Sequence, residues 1–209
     1  MEKQILELPD DWEEITADAN ERPRPIPATY ICRIIDARIA KDSYGKKRLE
    51  VELDIDEGDF KDYFSDDFEA MKSRHPETAF WRLTSFIKLD FNDPKNGHFF
   101  KQLLRRFTDA IEFSNPDFTV VKNCDIKTLV GKVLGALIYV KEKKSDNGDR
   151  IYWNYRVDRV YSVRDVRAGI KLKPSWIEDE NGIKRDPNAP KPEPPKHDSE
   201  TVEDVDIPF

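Results

Sequence analysis

The chain reads as a mainly β domain, a β-barrel with an inserted α-helix, carrying an acidic C-terminal tail. Three observations predict this. Apolar residues alternate with polar ones at a period of two over several short runs separated by turn residues. A single stretch of helical periodicity interrupts those runs. The last thirty or so residues lose apolar content and gain proline and acid.

Taken in order, residues 1–28 hold an acidic stretch around Trp12 and then Arg22-Pro23-Arg24-Pro25-Ile26-Pro27. Prolines at alternate positions fit neither a helix nor a sheet interior, so this is an extended lead-in. Thr29 to Lys41 reads as a long strand. Tyr30, Cys32 and Ile34 share one phase and Ile35, Ala37 and Ile39 the other, which predicts a bulge near Ile34-Ile35. A turn at Ser43-Tyr44-Gly45-Lys46 precedes the alternation of Leu49, Val51, Leu53 and Ile55. Glu57-Gly58-Asp59 is the next turn, and Phe60 to Phe64 reads as a third strand. Residues 65–128 read as a helical insertion. Phe68 to Arg74 fits a short helix, and Thr78 to Phe91 fits helix or strand. His98 to Phe113 has the strongest helical stripe, formed by Phe100, Leu103, Leu104, Phe107 and Ile111. Leu129 to Lys143 and Arg150 to Val163 read as two strands joined through Asn147-Gly148, a strong hairpin signal. From Pro174 onward structure is expected to fade. The domain is therefore assigned to residues 29–177, with a linker and docking tip at 178–209.

Three strands, a helix and two more strands, with a bulged first strand, match the order of a five-stranded OB-fold. A ferredoxin-like or split sandwich topology is the competitor, because order alone does not establish closure.

Composition bounds the function. The 209 residues are 38% hydrophobic with a formal net charge of -7, and mean hydropathy is -0.75. Residues 1–28 carry 3 basic and 8 acidic groups, and residues 178–209 carry 4 and 10. Out of totals of 35 and 42, that leaves 28 basic and 24 acidic groups, or +4, between residues 29 and 177. A mildly basic body between acidic ends is compatible with a polyanionic ligand. No apolar run approaches the roughly twenty residues of a membrane span, and the N-terminus lacks a signal-peptide pattern. Cys32 and Cys124 form no motif, so a reduced, cytoplasmic protein is expected.

Sequence-tolerant binding of single strands needs cations that follow phosphates and aromatic faces on which bases stack. The last hairpin supplies both: Tyr139, Lys141 and Lys143 on one strand, Arg150, Tyr152, Trp153, Tyr155 and Arg156 on the other. Trp153 and Tyr155 share one face, Tyr152 and Arg156 the other, so part of this set must be core. The first hairpin adds Arg33, Arg38, Tyr44, Lys46, Lys47 and Arg48. In an OB barrel its turn, 42–47, and the loop 145–149 are expected to flank one groove. Trp81 and Arg82 are further candidates, while Phe80 and Phe86 read as core.

Catalytic signals are weak. The three histidines, His75, His98 and His197, are isolated, no zinc spacing exists, and no phosphate loop or nucleophile elbow occurs. Acids such as Asp54-Ile55-Asp56-Glu57 and Asp66-Asp67 could hold a nuclease magnesium, but solvated acids at a strand end are the commoner case. No enzyme activity, cofactor or metal is expected.

The chain ends in Asp204-Val205-Asp206-Ile207-Pro208-Phe209. A terminal ring can fill an apolar pocket, the α-carboxylate can meet a basic group, and Pro208 restrains the approach. Asp204 and Asp206 would steer the tip to basic surfaces. This ending resembles the acidic tip of bacterial-type single-stranded DNA-binding proteins. Residues from about Thr29 to Arg167 resemble, in pattern, the single-stranded DNA-binding proteins of bacteriophages and mobile elements. The resemblance implies single-stranded DNA as ligand, and replication, repair or recombination enzymes as partners recruited through Asp204, Asp206, Ile207, Pro208 and Phe209. Self-association is possible on this reading. The alternatives are an adaptor that engages such enzymes without binding DNA, a strand-annealing recombination protein, and a metal-dependent nuclease.

Overall fold

A computed structural model describes residues 23–145, 151–170 and 172–189. Among them, seven strands form one open sheet with three α-helices packed on it: β1 (Thr29–Lys41), β2 (Lys47–Ile55), α1 (Tyr63–Arg74), β3 (Thr84–Lys88), α2 (Gly97–Ser114), β4 (Val133–Lys144), β5 (Ile151–Tyr161), α3 (Val163–Ala168), β6 (Ile177–Glu178) and β7 (Lys184–Arg185). A short 3-10 turn at Ile126–Leu129 precedes β4. No described helix is long and apolar enough to cross a membrane.

The order across the sheet is β3-β2-β1-β4-β6-β7, with β5 on the other edge of β4. β1 is the hinge of this arrangement. Its first five residues pair with β4, from Thr29↔Leu137 to Arg33↔Val133. Beyond the register shift between Ile34 and Asp36 it continues with β2 alone. The expected bulge is there, and it bends β1 away from β4. β4 therefore exposes a free edge beyond Tyr139, which β6 fills in parallel through Val140↔Ile177 and Lys141↔Glu178. The alternation of β2 puts Leu49, Val51, Leu53 and Ile55 into a core completed by Ile34, Leu134, Ile138, Phe107 and Ile111. Gly135 lets α3 sit against β4: a Cβ there would fall 2.2 Å from Val166 Cγ2.

Two sequence expectations need correction. Phe60 to Phe64 is not the third strand; the chain turns and enters α1 at Tyr63. Strand three is Thr84–Lys88, inside the segment read as a helical insertion, where it pairs with β2 from Glu52↔Thr84 to Arg48↔Lys88. The reason lies in Asp54, fully buried on β2. Its Oδ1 accepts from the N–H groups of Ile55 (2.8 Å) and Phe64 (3.0 Å). Its Oδ2 accepts from the Ser65 N–H (2.9 Å) and the Ser65 hydroxyl. The residue at the helix N-cap position, Asp62, makes no side-chain cap and takes φ 57. A carboxylate from another element thus satisfies the first free N–H groups of α1 and fixes helix rather than strand there. The same bonds leave none of Asp54's oxygens for a metal. The second correction is at Pro174, where order continues through β6 and β7.

Residues 23–28 belong to the domain rather than trailing from it. Pro25 and Pro27 are buried. Their backbone oxygens accept from the Tyr155 hydroxyl (3.1 Å) and the Ser175 hydroxyl (2.5 Å), and that of Ile26 from the Tyr30 hydroxyl (2.7 Å). Ala28 O accepts from the Ile138 N–H of β4 (2.9 Å), and the proline stretch before it is held by side-chain donors.

Asp54→Asn turns one acceptor oxygen into a donor facing buried N–H groups. It is expected to lower unfolding free energy by about 3 kcal/mol with an unchanged m-value in urea. A loss below about 0.5 kcal/mol would remove Asp54 from this role.

Candidate nucleic-acid groove

The sheet does not close. β3 and β5 approach each other across a gap, with no ladder between them among the described residues. Along this seam runs a groove of about 1540 Å³. One wall is the segment that leads into β3 and β3 itself: Phe80, Trp81, Arg82, Thr84 and Phe86. The opposite wall is the end of β4 and the start of β5: Lys143, Lys144, Tyr152, Trp153 and Arg156. Tyr63 and Tyr155 contribute to its lining, with Arg24 and Arg74 at its margins.

The groove is basic. Arg24, Arg74, Arg82, Lys143, Lys144 and Arg156 line it against a single carboxylate, Asp67. Arg82 Nε pairs with Asp67 at 3.0 Å and Lys144 with Glu180 at 2.7 Å. Lys143, Arg74 and Arg156 make no ion pair within the described residues.

The rings divide into anchored and open. Trp81 donates from Nε1 to the Leu53 carbonyl (2.9 Å) and packs on Phe68 at 5.5 Å, so its orientation is fixed. Phe80, Phe86 and Tyr152 are 59%, 44% and 52% exposed. Beneath them lies an edge-to-face cluster: Tyr155 meets Phe64 at 5.0 Å, Tyr63 at 6.5 Å and Trp153 at 6.2 Å. Tyr155 is 2% exposed and belongs to the core, so no face of its ring is open to a ligand. The expected division of the last strand holds, since Tyr152 and Arg156 oppose Lys143 and Tyr139 while Trp153 and Tyr155 oppose Glu142 and Val140.

Of the residues singled out from sequence, Trp81, Arg82, Lys143, Tyr152, Trp153, Tyr155 and Arg156 come together here. Those of the first hairpin do not line the groove. Arg33 bridges Asp56 (2.5 Å) and Asp62 (2.8 Å). Arg38 holds Glu50 (2.8 Å) and Glu52 (2.5 Å), and Lys46 holds Asp90 (2.8 Å). Arg48 is the link between the two regions: it pairs with Glu50 (2.5 Å) and lies 4.6 Å over the Phe86 ring. Tyr44, 85% exposed, and Lys47 remain at the hairpin tip. Tyr139 and Lys141 lie on the outer face of β4 under residues 176–178, where Tyr139 stacks on Trp176 at 4.6 Å. Arg150, Asp204, Asp206, Ile207, Pro208 and Phe209 lie outside the described residues.

Phe80 and Phe86, read as core, are groove rings instead. In β3 the buried positions are Thr84, Ser85 and Ile87, and Phe86 and Lys88 face outward. The alternation in Ser85-Phe86-Ile87-Lys88 carried that signal. Arg24 and Arg74 had no sequence signal, since they reach the groove only through the packing of the proline segment and of α1. No protein-family model matches the chain, and no curated protein matches it either.

The buried phenols and the buried thiol have a titration consequence. Burial pushes the Tyr30 phenol up to about 12 from 10.0. Burial drives Tyr155 and the Cys32 thiol upward as well. Each group is neutral when buried, with a folded pKa above its unfolded one. The stability they confer is whole below about pH 9 and is lost as pH rises through the folded values. Urea midpoints are therefore expected to fall steadily between about pH 9 and 12. A flat profile over that range would contradict this burial.

Proposed function

We propose that the seam groove binds single-stranded nucleic acid, with single-stranded DNA as the ligand, and with little preference for sequence. The observation that carries this reading is the joint presence, along one groove, of six cations against one carboxylate and of rings with open faces. Cations along a groove neutralise phosphates, and ring faces accept any base. A duplex presents its bases stacked and paired, so the exposed Phe80, Phe86 and Tyr152 would have no base face to meet.

The strand order supports an OB-type barrel. β1 between β2 and β4, β3 beyond β2 and β5 beyond β4 is the sequence of neighbours in a five-stranded, partly open barrel whose unpaired seam lies between strands three and five. The chain then acts, on this reading, as a single-stranded DNA-binding protein of a phage or mobile element in replication, recombination or repair. Its terminal Ile207-Pro208-Phe209 would recruit partner enzymes, with the acidic residues before it directing the tip to basic pockets.

Anisotropy titration of labelled oligo-dT with the full-length chain tests the groove. Binding to the single strand, weak binding to duplex, and a log–log salt slope of roughly 0.7 per phosphate contacted are expected. Tyr152→Ala and Phe86→Ala should each weaken binding by about tenfold, from a stacking worth of about 1–3 kcal/mol per base. No binding at low salt would exclude this reading and leave a protein-interaction adaptor. Phe209→Ala should leave DNA affinity intact while weakening capture of partner enzymes, and a loss of DNA affinity would contradict that division of labour.

A further inference from the structure

The open rings do not stop at the seam. Phe86 and Lys88 are exposed residues two apart on β3 and point to the same side of the sheet. At the usual strand rise they stand ~7 Å apart along the strand. The chain then enters α2 at Gly97, and the Lys88 ammonium lies 5.7 Å from the centre of the Phe100 ring. The Phe99 ring sits 6.1 Å from that of Phe100, tilted by 55°, and Phe99 is 54% exposed. Arg106, also exposed, lies two helical turns beyond Phe99 on the same side of α2. Together these residues form a track that leaves the groove at Phe86 and runs onto α2.

The charges along the track are unbalanced. Lys88 lies opposite Arg48 in the β2–β3 ladder, and like charges at opposed positions repel. Glu50 pairs with Arg48 at 2.5 Å, but no carboxylate pairs with Lys88 or Arg106 among the described residues. The acids near them in sequence are engaged elsewhere. Asp90 holds Lys46 at 2.8 Å and Asp109 holds Arg105 at 2.8 Å. Asp93 accepts from the N–H groups of Lys95 (2.9 Å) and Asn96 (2.7 Å). Unpaired cations beside exposed rings repeat the combination found in the seam, and they suit an anion that carries flat apolar faces.

We propose that the bound single strand continues from the seam across β3 onto α2, where Lys88 takes a phosphate and Phe99 and Phe100 form a second stacking platform. This rests on the nucleic-acid reading above. A base stacked on Phe86 brings the next phosphate over Lys88, which relieves the repulsion between Lys88 and Arg48. The bases that follow then meet the Phe100 and Phe99 rings, and Arg106 receives the phosphate beyond them. One chain therefore covers more nucleotides than the seam alone holds. Short oligomers fill the seam, and only longer ones reach the platform. Phe113, 74% exposed at the other end of α2, lies off this track.

The full-length Lys88→Ala/Phe99→Ala variant tests the track with oligo-dT of two lengths at low salt. Lengths of about 6 and about 20 nucleotides fall near the lower end and beyond the upper end of what one barrel spans. Affinity for the longer oligomer is expected to fall at least about tenfold, the scale of one base stack. Its log–log salt slope should drop by roughly 0.7, for the phosphate lost at Lys88. Affinity for the shorter oligomer should change less than about twofold, which also checks that the fold is intact. Stoichiometric titration of a long poly-dT supplies the second measurement, with fewer nucleotides occluded per chain in the variant. Phe113→Ala is the control for loss of an exposed ring and should alter none of these readings. Equal losses at both lengths, or no loss and an unchanged occluded length, would overturn the proposal and leave the seam reading standing; the second result would assign the ring pair to a protein partner. Failure of the unsubstituted chain to bind either oligomer would overturn both.

Discussion

A carboxylate buried at the end of β2 holds α1 in place, and the candidate groove depends on that helix. Asp54 accepts from Phe64 and Ser65, which seats the helix start with Phe64 against Tyr155. Those contacts give the seam between β3 and β5 its aromatic floor. Without them the space would fall open to the core, and Trp81, which is tied to the Leu53 carbonyl one residue before Asp54, would lose its neighbouring support. A buried acceptor whose donors come from another element specifies one arrangement, because any other leaves charge or N–H groups unpaired.

The same economy of pairing separates the basic residues into two populations. On the outer face of β1 and β2, arginines share carboxylates with their neighbours: Arg38 and Arg48 both hold Glu50, which is only 6% exposed. Such cations stabilise the sheet and have little charge left for a ligand. In the groove the ratio reverses, with one carboxylate among the lining side chains. Net charge alone would not have distinguished the two faces, since the body as a whole carries only a slight positive excess. Position relative to the acids decides which cations are available.

Legibility in the sequence followed the range of the interactions. β1 with its bulge, β2, α2 and the β4–β5 hairpin could be read because their signals are local: phase, period and turn residues. α1 was legible only from Phe68 onward and β3 only as a segment fitting helix or strand, because the helix start at Tyr63-Phe64 is fixed by a residue ten positions before Phe64, and β3 is a five-residue strand after a long connection. At the site, Tyr152, Trp153 and Arg156 were visible as a cation–aromatic pattern on one hairpin. Arg24, Arg74 and Phe80 were not, since tertiary packing brings them to the groove, while the outward phase of Phe86 was carried only by the alternation of its own short strand. Arg33 and Arg38 resemble ligand-binding residues in sequence, yet their partners are acids that lie far along the chain or across a ladder.

The most direct measurement is photocrosslinking of a halogenated oligo-dT to the full-length chain, followed by peptide mapping of the adducts. The account predicts adducts on both walls of the seam, within residues 80–86 and 151–156, in line with stacking on open rings. Adducts confined to the hairpin tip at 41–48 or to the ion-paired face of β1 and β2 would contradict it.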